Sequence, residues 1–142
     1  LHGLLANGTY ESLSGTSVYW DFVELPSQIF ENWCYEKECL DLFAKHFETG
    51  EAIPENLIER IKQAANFQQG YQTVRQISFG LLDMAYHGTS PNEIRDIAAF
   101  EAESMKQTQL LPDVPGALMS TSFSHIFQGG YAAGYYSYKW AE

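Results

Sequence analysis

Cysteine, positive charge and long apolar runs are all scarce in this chain. It has two cysteines, Cys34 and Cys39, in 142 residues. They stand five positions apart in a helical-looking stretch, on different faces, which disfavours a disulfide between them. A disulfide scaffold is therefore excluded, and a reducing compartment, the cytoplasm, fits best, with the periplasm as the alternative. Eight Lys and Arg stand against 18 Asp and Glu, for a net charge of −10. So few cations cannot displace the counterions of a phosphate backbone or hold an anionic membrane surface, so neither nucleic acid nor membrane is an expected partner. No run of about 18 apolar residues is present, so no transmembrane helix is expected. Also missing are the Cys-x-x-Cys and His-x-x-x-His spacings of a complete zinc site. Gly129-Gly130 lacks the flanking Lys and Thr of a phosphate loop, and no nucleophile elbow occurs. Internal repeats and low-complexity tracts are absent.

What is there suffices for a core: 45% of residues are hydrophobic and 15% aromatic. The chain opens at Leu1, in an apolar-looking segment and without methionine, and stops at Glu142 inside an aromatic helix. Both ends are expected to be cuts in a longer protein. The pattern predicts a mainly α fold, a bundle-like set of helices with short connections. A helix tail near Asn7-Gly8 and a Ser/Thr/Gly-rich loop over 9–19 precede a helix from about Asp21, its cap, to Lys37, with Pro26 in the first turns. Shorter helices follow over 40–47 and from Pro54 to Phe67. Gly70 is expected to break the chain before a long helix from Tyr71 to Tyr86, with Val74, Ile77, Leu81 and Leu82 inward. Ser90 and Glu93 form a capping-box signature for a helix to about Thr108. A Pro-containing loop over 110–119, a short turn, and a final helix after Gly129-Gly130 complete the reading.

Two places could carry chemistry. In Asp21-Phe22-Val23-Glu24, the two carboxylates lie three apart and share a helical side with Glu31. Carboxylates among Phe22, Val23, Leu25 and Ile29 need a cation, a metal or donors if buried. On periodicity alone the stripe reads first as the solvent face of an amphipathic helix. The second place is the run from His125 to Tyr138. Tyr131, Tyr135 and Tyr138 recur at spacings of four and three, which on a helix lines one face with phenols. Such phenols can donate to a developing oxyanion, or can simply pack as an aromatic core with wet rims. His46 reads as a surface residue, His87 as a helix-end residue, and His2 as a core histidine or one standing behind a site.

The runs Leu1-His2-Gly3-Leu4-Leu5, Leu13-Ser14-Gly15-Thr16, Asp21-Phe22-Val23-Glu24-Leu25-Pro26-Ser27-Gln28, Glu31-Asn32-Trp33 and His125 to Tyr138 closely resemble the thimet oligopeptidase and peptidyl-dipeptidase family of zinc metallopeptidases. The resemblance covers most of residues 1–142, as part of a catalytic domain that continues beyond both ends. In that family a His-Glu-x-x-His helix supplies two zinc ligands and the base that activates the metal-bound water. The family's spacing would place those residues just upstream of Leu1. Glu24 matches the third metal ligand. Asp21 matches the acid that orients a ligating histidine, and Glu31 a supporting acid. His125 and Tyr138 match residues that bind the scissile carbonyl and its oxyanion. Tyr131 and Tyr135 match groups that hold the peptide, and Gly129-Gly130 match a flexible loop over the cleft.

The resemblance implies a zinc-dependent hydrolase of short peptides, acting as an endopeptidase or as a peptidyl-dipeptidase. It also implies that these 142 residues alone, with one ligand of three, neither bind zinc tightly nor cleave peptides. Surface left bare by a missing helix is expected to be apolar and open to dimerisation. The competing class is a non-catalytic all-α interaction module, in which the acids and tyrosines contact another protein.

Overall fold

The computed structural model describes residues 2–142, and they are helical, with no β-strand among them. The helices are α1 (Trp20–Val23), α2 (Leu25–Trp33), α3 (Lys37–Phe43), α4 (Glu55–Ala65), α5 (Gln69–Gly88), α6 (Ile97–Met105), α7 (Ser124–Phe127) and α8 (Ser137–Ala141). Single 3-10 turns cover Glu11–Leu13, Pro91–Glu93, Lys106–Thr108 and Met119–Thr121. The chain divides into two compact units. The first comprises residues 2–18 and 23–69 with Glu142, and the second residues 19–22 and 70–141.

The first unit buries few side chains, with Val23, Leu40 and Ile58 its buried hydrophobic residues. Ile58 is the inward residue of α4, whereas Leu57 and Ile61 on the same helix stay exposed. Between α3 and α4 a tight turn is closed by a single bridge from Lys45 to Ala52. His46 Nδ1 accepts from the N–H groups of Glu48 and Thr49 there, both at 3.3 Å, and Gly50 takes φ +72°, a conformation that suits glycine. His46 is exposed, as its sequence context predicts. Two ion pairs, Lys37–Asp41 and Lys62–Glu36, lie in the open, where solvent screens them and each contributes little. Cys34 and Cys39 are free thiols.

The second unit is organised on α5, whose 20 residues span about 30 Å. Phe79, Leu82, Asp83 and Tyr86 recur at helical spacing and form its inward face. Phe79 and Leu82 pack with Phe123, Ile126 and Tyr135 into the core, ringed by Tyr86, Met105, Met119, Tyr131 and Tyr138. Leu82 is inward as expected, but Ile77 and Leu81 are exposed, because the buried stripe is rotated toward Phe79 and Tyr86.

Several boundaries differ from the sequence reading. The helix expected from Asp21 to Lys37 is interrupted at Glu24, which has helical angles but lies between α1 and α2. Pro26 cannot donate the hydrogen bond that would join the two pieces, and it becomes the second residue of a new helix. The break before α5 comes at Gln68, which takes φ +54°, while Gly70 sits within the first turn of α5. Ser90 makes no side-chain cap and Pro91–Glu93 is a lone 3-10 turn. The cap of α6 is Asp96, whose carboxylate accepts from Ala99 N at 3.0 Å. The final helix begins only at Ser137, after a series of turns over 131–136.

Candidate active-site residues

Glu24 belongs to the first unit and is half-buried at the junction of α1 and α2. Its carboxylate accepts from Ser27 Oγ at 3.1 Å, and the same hydroxyl lies 2.8 Å from the Glu24 carbonyl. Ser27 thus serves Glu24 twice, which explains why a serine follows Pro26. His2 Nδ1 lies 3.0 Å from the carbonyl of Val23, the residue before Glu24, so His2 is a half-buried brace of this junction. Glu31 lies on α2 and is exposed. Asp21, half-buried on α1, belongs to the second unit, where Tyr136 Oη donates to it over a long 3.5 Å.

His125, Tyr131, Tyr135 and Tyr138 come together in the second unit, but not along a helix face. Tyr131 and Tyr138 stack with ring centres 5.2 Å apart and planes at 16°. Tyr135 meets Tyr138 edge-on at 5.2 Å, and His125 meets both Tyr131 and Tyr135 edge-on at 5.8 Å. Edge-on and offset arrangements of this kind are the favourable ones for aromatic rings. The grouping arises because the turn over 131–136 folds back on α7. Tyr135 is the buried member, and burial pushes its phenol above the ordinary value of 10.0, with the neighbouring Tyr138 adding to the effect. Its hydroxyl is turned to Gln76 on α5. Tyr131 and Tyr138 are half-buried and His125 is exposed, so these three are the members that a bound molecule could reach.

Gly129 and Gly130 hold a defined turn. A Cβ on Gly129 would stand 2.9 Å from the His125 backbone, and Gly130 takes φ +84°. The His125 carbonyl accepts from Tyr131 N at 3.0 Å, which ties the turn to α7.

Sequence reasoning missed the residues that fasten this turn. Asp83, fully buried on α5, accepts from Ala133 N on one oxygen and from Tyr135 N on the other, both at 2.9 Å. His87, one turn on, brings Nδ1 to 2.8 Å from the first oxygen and 2.9 Å from the Asp83 carbonyl, so Nδ1 carries the hydrogen. A second carboxylate, Glu101 on α6, accepts from Met119 N at 2.8 Å, Ser120 N at 2.7 Å and Ser120 Oγ at 2.5 Å. Since that serine hydrogen is committed to Glu101, Tyr86 Oη, 2.6 Å from Ser120 Oγ, is the donor to Ser120. Trp20 completes the cluster edge-on to Tyr131 at 4.9 Å, and a Cβ at Gly134 would meet its ring at 2.6 Å. The available signal was a lone Asp with His four residues on, in the apolar second half of α5.

A cavity of about 670 Å³ lies elsewhere in the second unit, between α5, α6 and the 109–118 loop, lined by Arg75, Met105 and Leu118 among others. None of His125, Tyr131, Tyr135 or Tyr138 lines it. Among the described residues no three His, Cys, Asp or Glu side chains gather as a metal site. Glu24 offers one carboxylate, and these residues do not by themselves fit a zinc ion. Nor is any described helix long and apolar enough to cross a membrane.

Comparison with known proteins covers the entire chain. The family model described as peptidase family M3 matches residues 1–142. The probable cytosolic oligopeptidase A of Arabidopsis thaliana is 45% identical over 89% of this chain and 18% of its own length. Oligopeptidase A of Escherichia coli (strain K12) is 43% identical, and dipeptidyl carboxypeptidase of the same organism 41% identical, each over 100% of this chain and 21% of its own length. The chain therefore spans about a fifth of the length of these relatives. With the match running from the first residue to the last, the chain belongs to peptidase family M3.

Proposed function

We propose that the full-length protein is a zinc-dependent peptidase that hydrolyses short oligopeptides, and that residues 1–142 are part of its catalytic domain. The observation that carries the reading is the joining of His125, Tyr131 and Tyr138 into one accessible cluster of hydrogen-bond donors. Family membership supplies the reaction class, since relatives bear the names oligopeptidase A and dipeptidyl carboxypeptidase.

In this reading the neutral phenol of Tyr138 and the imidazole of His125 donate to the scissile carbonyl oxygen as negative charge develops on it. Donors fixed before the reaction stabilise that charge more than mobile water does. Tyr131 holds the peptide beside them, and Tyr135 backs Tyr138 from the core. Gly129 and Gly130 let the backbone pass close to the bound chain. Glu24 is the zinc ligand contributed by these residues, with Asp21 and Glu31 in support. With one ligand of a three-residue set, the 142-residue chain alone neither holds the metal tightly nor cleaves peptides. A cytoplasmic setting suits the free thiols, and one relative carries a cytosolic name.

The test is steady-state kinetics of the full-length protein. Tyr138→Phe should keep its zinc and lose about 100- to 1000-fold in kcat/KM, the usual effect of removing one oxyanion donor. Undiminished activity in that variant removes the assignment. Peptides amidated at the C-terminus separate the two modes of cleavage: loss of hydrolysis marks a peptidyl-dipeptidase, and retained hydrolysis an endopeptidase.

A further inference from the structure

Asp83 is a fully buried carboxylate 50 residues upstream of the backbone groups that it holds. Burial of a charge is tolerated where donors surround it, and Asp83 has three: Ala133 N, Tyr135 N and His87 Nδ1, all within 2.9 Å. Two of these are main-chain groups of the turn over 131–136. That turn has no regular helix to fix it, and Ala133 takes φ +52°, which a residue with a Cβ rarely adopts unless its surroundings impose it. The turn carries Tyr131 and Tyr135, and Tyr138 is packed between their rings.

We propose that Asp83, supported by His87, is a positioning residue for the reaction: it pins the 131–136 turn to α5 and thereby sets where the Tyr138 hydroxyl stands. This rests on the reading that Tyr138 meets the substrate. Asp83 touches neither substrate nor reacting atoms; it acts through the backbone of Ala133 and Tyr135. The fixed imidazole of His87 occupies the remaining side of the carboxylate and keeps it from turning away from the two N–H groups.

The experiment is a double-mutant cycle in the full-length protein, reading kcat, KM and zinc content. Asn at position 83 can accept from one N–H and presents its amide hydrogens to the other, so Asp83→Asn should release half of the turn. A displacement of about 1 Å at a catalytic group costs on the order of 100-fold. Asp83→Asn is therefore expected to lower kcat by about 10- to 100-fold, with zinc content unchanged. His87→Ala, which leaves both backbone donors of Asp83 in place, should give roughly a threefold loss or more in the same direction. Because both act on the Tyr138 phenol through the turn, the losses in kcat should shrink markedly when each is combined with Tyr138→Phe. A general loss of structure would instead multiply on that background. Undiminished losses beside Tyr138→Phe, or full activity in both single variants next to an impaired Tyr138→Phe, overturn the positioning role. Full activity in Tyr138→Phe itself overturns the underlying assignment of that phenol, and the proposal with it. If Asp83→Asn does not fold, His87→Ala alone decides by the same comparison.

Discussion

Gly134 shows how closely the aromatic cluster is packed. A Cβ there would stand 2.6 Å from Trp20 Cδ1, and the indole, held edge-on against Tyr131, has no flexible end to swing aside. Gly134→Ala should therefore destabilise the fold by about 1–3 kcal/mol, as overpacking does; a shift in the midpoint of urea unfolding measures it. Tyr135 gives a pH signature. Burial raises its phenol above the ordinary 10.0, so the folded state binds the proton more tightly than the unfolded state. The associated stability is fully present at neutral pH and is lost as pH rises above 10.0 toward the folded value. Tyr135→Phe should flatten that alkaline decline in a stability–pH profile, and an unchanged decline would place its cause elsewhere. The three tyrosines and His125 were legible in the sequence as a group, but through a helical spacing that the chain does not adopt. Asp83 was not legible as their anchor. Its partners lie 50 and 52 residues away, and nothing local distinguishes a buried carboxylate from one that faces water.

Element boundaries follow the same division between local and distant causes. The helix near Glu55–Ala65 and the long α5 were readable from apolar spacing, a strong local signal. The start of α6 was misplaced because Ser90, Pro91 and Glu93 imitate a capping box while Asp96 provides the cap. Asp96→Ala should cost about 1 kcal/mol, whereas Ser90→Ala should be nearly neutral; paired thermal melts distinguish the two. The break between α4 and α5 falls at Gln68, a residue with a positive φ, although a glycine stands two positions away, so composition pointed to the wrong break. The final helix came out short where Asp83 takes the Tyr135 N–H, which a helix from Tyr131 would have used internally, and holds the Ala133 N–H as well.

At the scale of the molecule, the mainly α character was legible and so was the family. The first unit buries little and leaves Ile29, Trp33, Leu42 and Phe47 exposed. The chain spans about a fifth of its relatives' length, and its described residues gather no metal site. Under the proposed function, Glu24 contributes one ligand to a zinc centre of the full-length protein. Zinc stoichiometry in purified full-length protein carrying Glu24→Gln, beside the unaltered protein, checks this role. One zinc per chain is expected in the unaltered protein and, in the variant, near-complete loss of both zinc and peptide hydrolysis with the helical fold intact. A variant that folds, retains its full zinc and still cleaves peptides would contradict it.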